Sequence, residues 1–129
     1  MEKKNECYTS FSVSMPIQLM ENFIQELGVT EFEKRNSKTV CDEVTLKIGK
    51  NKNYDVDISG MIFKTLTPLF GKEEILKNLK EKYNLNYYIE IVPSLYTKNI
   101  TPAFFFNKNI IEFCYKTQTE IDIDLYLAK

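Results

Sequence analysis

From Tyr8 to Met15 the apolar residues Phe11, Val13 and Met15 alternate with Ser10, Ser12 and Ser14, the period of two expected of a strand with one face on a core. Pro16 then suits a first helical turn, Ile17, Met20, Phe23, Ile24 and Leu27 recur at helical spacing, and Gly28 follows as a left-handed cap. The pattern predicts a helix over Pro16 to Leu27. Thr30 to Lys38 is polar and aperiodic and predicts no element. Val40, Val44, Leu46 and Ile48 alternate with Cys41, Glu43, Thr45 and Lys47, a second strand that Gly49 is expected to stop, with a loop from Gly49 to Asn53.

Asp55 or Asp57 can cap a helix carrying Ile58, Met61, Ile62, Leu66 and Leu69 on one stripe, with Pro68 kinking or ending it. Lys72 to Tyr83 sets Ile75, Leu76, Leu79 and Tyr83 on one face of a further helix, and Asn84 is its stop. Tyr87, Ile89 and Ile91 alternate with Tyr88, Glu90 and Val92 as a third strand up to Pro93. Pro93 to Pro102 reads as a loop, Phe104 to Phe106 is too short to assign by period, and Asn107 can cap a short helix bearing Ile110, Ile111, Phe113 and Cys114. The closing alternation is the clearest: Ile121, Ile123, Leu125 and Leu127 oppose Glu120, Asp122, Asp124 and Tyr126, which predicts a strand at or near the centre of a sheet.

Parallel strands buried on both faces read as continuous apolar runs, and these alternate instead. The expected fold is therefore α+β, a mixed or antiparallel twisted sheet of four to five strands with helices packed on one face, ferredoxin-like or related. With 129 residues, 43% of them hydrophobic, one domain over 1–129 is expected, with no repeat and no linker.

Charge narrows the partners. Seventeen basic and 18 acidic residues give a net charge of -1, and the single arginine, Arg35, leaves little of the bidentate chemistry that reads phosphates and guanine edges. Nucleic acid is not expected as a partner. No run reaches the ~20 apolar residues of a membrane helix, and the charged start lacks a secretory hydrophobic region. Three cysteines, Cys7, Cys41 and Cys114, are an odd number without metal-type spacing and sit beside apolar residues, so reduced structural thiols and a cytoplasmic location are expected.

The chemistry is bounded mostly by what is missing. With no histidine there is no Ser-His-Asp or Cys-His arrangement and no imidazole ligand. With four glycines, Gly28, Gly49, Gly60 and Gly71, no phosphate-cradling loop can be built. No catalytic residue and no cofactor are expected. Asp122 and Asp124 share a strand face, and with Glu90 as a third oxygen ligand they offer a divalent metal site or a metal-assisted enzyme as an alternative. The simpler account of such carboxylates is the solvated side of an open sheet. Phe104 to Phe106 is expected to be a short strand or a core plug, with an exposed partner-binding wedge as the other use.

The outer sheet face is expected to gather Glu43, Lys47, Tyr88, Glu90, Asp122, Asp124 and Tyr126, an acidic surface with tyrosines suited to a basic protein partner. Three segments, Tyr8-Thr9-Ser10-Phe11-Ser12-Val13, Ile24-Gln25-Glu26-Leu27-Gly28-Val29 and Ile121-Asp122-Ile123-Asp124-Leu125-Tyr126, together resemble the bacterial domain of unknown function 4279. That resemblance implies a compact α+β fold and transfers no catalytic residue. The expected function is a non-catalytic cytosolic bacterial binding protein, an immunity protein neutralising a toxin by occluding it. A third reading is a structural homodimer joined by the sheet face or by Phe104 to Phe106.

Overall fold

A computed structural model describes residues 3–54 and 56–128. β1 (Glu6–Pro16) leads directly into α1 (Ile17–Leu27), which Gly28 ends in the left-handed conformation at φ 75°. A short β2 (Glu33–Asn36) and a long β3 (Glu43–Asn53) follow, then α2 (Ile58–Leu66), a 3-10 turn (Thr67–Leu69) and α3 (Glu73–Tyr83). β4 (Tyr87–Tyr96), α4 (Lys108–Thr117), β5 (Thr119–Ile123) and β6 (Tyr126–Ala128) complete the chain. Asp57 caps α2 by accepting from Gly60 N at 3.2 Å, Asn107 caps α4 by accepting from Ile110 N at 3.0 Å, and Asn84 closes α3 at φ 55°. Asp55, the other candidate cap, lies outside the described residues.

The sheet order is β2-β3-β1-β4-β5, with β6 pairing β4 beyond the end of β5. β1 is antiparallel to both β3 and β4, and β2 is antiparallel to β3, whereas β5 and β6 run parallel to β4. The first four strands thus form the split βαβ arrangement of ferredoxin-like sheets, with each strand inserted antiparallel between two parallel ones. α4 and β5 extend that sheet by one further crossover, making it mixed.

All four helices pack against one face. That face buries Phe11, Val13, Met15, Val44, Leu46, Ile48, Tyr87, Ile89 and Ile91 against Phe23, Leu27, Ile58, Ile62, Leu66, Leu76, Ile110 and Phe113 in one cluster. Tyr87 is its hub: the ring lies 5.2 Å from Phe11 and 6.5 Å from Phe23, and its hydroxyl donates to Leu76 O at 2.6 Å, tying α3 to the sheet. Burial pushes its ionisation far upward.

Four expectations change. Gly49 does not stop the second strand: at φ 66° it forms a bulge, the register jumping from Thr9↔Asn51 to Phe11↔Ile48, and β3 runs on to Asn53. A Cβ there would overlap the Thr65 carbonyl, so the bare backbone lets α2 lie on the strand. Thr65 Oγ1 then donates to Gly49 O at 2.8 Å and meets Thr9 Oγ1 at 2.7 Å, both threonines being buried. Within the aperiodic segment, Glu33–Asn36 forms β2, held by its ladder with β3. Pro93 does not end β4, which continues to Tyr96. The last strand lies at the edge of the sheet instead of its centre, and it is split in two between Ile123 and Tyr126. Among the described residues no helix is long and apolar enough to cross a membrane.

Candidate functional site

The face of the sheet away from the helices carries the candidate residues. Register places Glu43 and Lys47 on β3, Tyr88 and Glu90 on β4, Asp122 on β5 and Tyr126 on β6 all on this side, with Asp124 joining them at the β5 to β6 break. Glu43 stands apart at the far end of β3, opposite Pro16. Lys47, Glu90, Asp124 and Tyr126 line a shallow hollow of about 430 Å³ together with Glu6, Tyr8, Arg35, Lys50 and Lys52, while Tyr88 and Asp122 share the face outside it.

The face is not uniformly acidic as expected. Arg35, Lys47, Lys50 and Lys52 lie on the β2 and β3 side, while Glu90, Glu120, Asp122 and Asp124 lie on the β4 and β5 side. Between them runs β1, whose small Ser10 and Ser12 are buried beneath their neighbours. Because these residues are small, Lys47 on β3 reaches over β1 to Glu90 on β4, with Nζ donating to Oε2 at 3.1 Å. Its ammonium also sits 5.3 Å from the centre of the Tyr8 ring, as does that of Lys50 at 5.4 Å. Burial disfavours charge on Lys47, but its contacts with Tyr8 and Glu90 outweigh that and raise its pKa. The Tyr8 hydroxyl and Ser10 Oγ are shielded from solvent and form no hydrogen bond of good geometry.

The two halves differ in how far their charges are answered. Lys50 pairs with Glu33 at 2.9 Å and Lys52 with Glu6 at 3.6 Å. Glu120, Asp122 and Asp124 form no ion pair among the described residues; the Asp124 carboxylate accepts from the Tyr126 hydroxyl at 3.3 Å. The uncompensated carboxylates are all exposed, and Tyr126 is 56% exposed beside them.

The metal alternative does not gain geometry. Among the described residues no group of three or more carboxylates or thiols comes together to hold an ion, so Glu90, Asp122 and Asp124 share a face without forming a cage. Glu90 is turned to Lys47 instead. Of the thiols, Cys7 is buried and Cys114 half-buried, and burial pushes each up to about 11, as suits structural cysteines. Cys41 is exposed, contrary to expectation. The phenylalanine triplet is also only partly a core plug: Phe106 packs against the core, while Phe104 and Phe105 are exposed on the segment before α4.

Sequence reasoning missed Arg35, Lys50, Lys52 and Tyr8 as members of this face. Lys50 and Lys52 were hidden by the bulge, which shifts the alternation of β3 by one residue after Gly49, and Arg35 lies on the strand that has no period.

No curated protein and no solved structure matches the chain. A family described as a domain of unknown function, DUF4279, matches residues 31–128. That span contains β2 through β6, including the closing Ile121 to Tyr126 segment on which the resemblance drew, and leaves out β1 and α1, on which it also drew. With most of its length inside the match, the chain belongs to the DUF4279 family.

Proposed function

We propose that this chain is a non-catalytic protein-binding module of the bacterial cytoplasm, an immunity protein that occludes a basic toxin domain with the β4 and β5 side of its open sheet face. The observation that carries the reading is the set Glu120, Asp122 and Asp124, exposed and unanswered by any described cation, beside the half-exposed Tyr88 and the exposed Tyr126. Tyrosines give rigid contact area with a polar tip, and unpaired carboxylates steer a cationic surface toward them at little desolvation cost before contact. The absence of histidine and of a glycine loop accords with binding without chemistry.

The test is co-expression with the protein encoded immediately upstream. If that protein is toxic, this chain should restore growth and co-elute with it. Asp122→Lys with Asp124→Lys should then weaken Kd at least about tenfold, equivalent to ~1.4 kcal/mol. An upstream protein that is harmless and does not bind removes the immunity reading, and unchanged affinity in the double variant removes this surface.

A further inference from the structure

β5 differs from the strand beside it in one respect. Ile121 and Ile123 stand level with Ile89 and Ile91 of β4, and Leu127 of β6 with Leu95, on the helix side of the sheet. The β4 residues are 0%, 0% and 5% exposed, whereas Ile121, Ile123 and Leu127 are 37%, 43% and 67% exposed. The apolar stripe of the core therefore continues one strand beyond the point where it is covered.

The backbone of that strand is open along its outer edge. Asp124 N–H donates inward to Ile91 O at 2.8 Å. Hydrogen-bonding direction alternates along a strand paired on one side only, so the N–H and C=O groups of Ile121 and Ile123 point away from the sheet. Among the described residues β5 has no second partner in the sheet.

A second copy of the chain is a poor occupant. In a two-fold antiparallel pairing with Ile121 on the axis, Glu120 faces Asp122 of the other copy. With Asp122 on the axis, Asp122 faces itself and Glu120 faces Asp124. Like charges directly opposite across a ladder are destabilising.

A strand with lysine or arginine at every second position meets the opposite situation. Its cations would lie level with Glu120 and Asp122 on the open face, and its apolar residues would cover Ile121 and Ile123 on the other.

We infer that the outer edge of β5 receives an extended segment of a partner protein in which basic and apolar residues alternate, adding a strand to the sheet. The inference rests on the protein-binding reading for its cationic partner and goes beyond it in assigning the contact to backbone as well as side chains.

The probe is a synthetic peptide of about nine residues alternating lysine with valine and isoleucine, long enough for one strand. Titrated into the full chain, it should saturate and protect the Ile121 and Ile123 amides from hydrogen exchange. Methylating those peptide nitrogens that face β5 should weaken binding at least about tenfold, as should replacing its lysines by glutamate. Ile121→Pro removes an outward N–H together with the Ile121 side chain and takes no hydrogen bond from the β4 ladder, so it should fold and lose the peptide; Asp122→Lys should weaken it without touching the backbone. No saturable binding, equal affinity for the methylated peptide, or protection confined to other strands would overturn the inference. So would a stable dimer in light scattering with β5 already protected. If the peptide fails while Asp122→Lys with Asp124→Lys still releases the upstream protein, the edge falls and the open-face reading stands. If the peptide binds and the upstream protein does not, the reverse holds.

Discussion

At one end of the sheet β2 offers Glu33, Lys34, Arg35 and Asn36; at the other β5 offers Thr119, Glu120, Ile121, Asp122 and Ile123. Both are short, and among the described residues each pairs with one neighbour. Their helix-side positions are where they part. Lys34 and Asn36 stand level with the buried Leu46 and Val44, while Ile121 and Ile123 stand level with the buried Ile89 and Ile91. A new strand laid along β2 would find a lysine where its apolar residues need a surface, one of the ways sheet proteins keep an edge from pairing. Along β5 the same strand would find a continuing core. The two ends of one sheet thus show a guarded edge and an unguarded one.

β3 holds β2 along Val44 to Lys47, and just beyond that ladder it carries the bulge at Gly49. Gly49→Ala forces a side chain into positive φ and into the Thr65 carbonyl. Left-handed backbone and overpacking together give an expected loss of about 2–5 kcal/mol. Urea unfolding should show the midpoint fall at constant slope, and a midpoint unchanged from the parent would mean that α2 does not bear on the bulge.

Next in size is the link between the two halves. Lys47→Met leaves Glu90 facing the buried serines without its cation, and since the Glu90 side chain is 28% exposed the expected cost is about 1–3 kcal/mol, below that of a fully buried pair. The pH dependence follows from the raised Lys47 pKa. A group whose pKa is higher folded than unfolded stabilises below its unfolded value and loses that contribution as pH climbs through the folded one. The parent should therefore lose stability above pH 10.5 more steeply than Lys47→Met does. Parallel curves for the two proteins would show that this ammonium is not held by Tyr8 and Glu90.

How much of this could be read in advance follows the range of each interaction. Gly28, Asn84 and Asn107 were legible because a cap involves residues within a turn of itself. The period of two placed Glu43, Lys47, Tyr88, Glu90 and Asp122 on one face correctly, since side-chain direction is a property of the strand alone. β2 was not legible: four residues of mostly charged sequence have no period, and only the ladder to β3 makes them a strand. Gly49 reads the same in sequence whether it ends a strand or bulges it. The alternation of Ile121 and Ile123 gave the facing of β5 but not its place, because an apolar row has the same pattern whether or not something covers it. Ser10, Ser12 and Ser14 read in sequence only as the polar positions of a strand, yet the first two form the floor beneath an ion pair that crosses β1 from β3 to β4.

Exchanging the guards would sharpen the contrast. Ile121→Lys gives β5 the character of β2 and should change stability by less than about 1 kcal/mol while abolishing capture of the alternating peptide. The reverse change, Lys34→Ile with Asn36→Ile, should make β2 adhesive, visible as self-association in light scattering at unchanged fold by circular dichroism. If the β2 variant associates no more than the parent, apolar character alone does not decide which edge pairs, and the charge row of β5 must be the dominant part.

The smallest effect concerns how the guarded edge is held. The Lys50 ammonium at 2.9 Å lowers the Glu33 carboxyl below its ordinary value of 4.5. A carboxyl lowered on folding stabilises above its unfolded pKa and loses that contribution as pH falls through the folded one. Because the pair is solvent-exposed, raising the salt concentration should move the Glu33 titration back toward 4.5, and Lys50→Gln should do so at low salt. Carbon-detected NMR titration of the Glu33 carboxyl reads both. A titration that stays low in high salt and in the variant would mean that β2 is held by more than its charges, and its guard would then be part of the packed sheet.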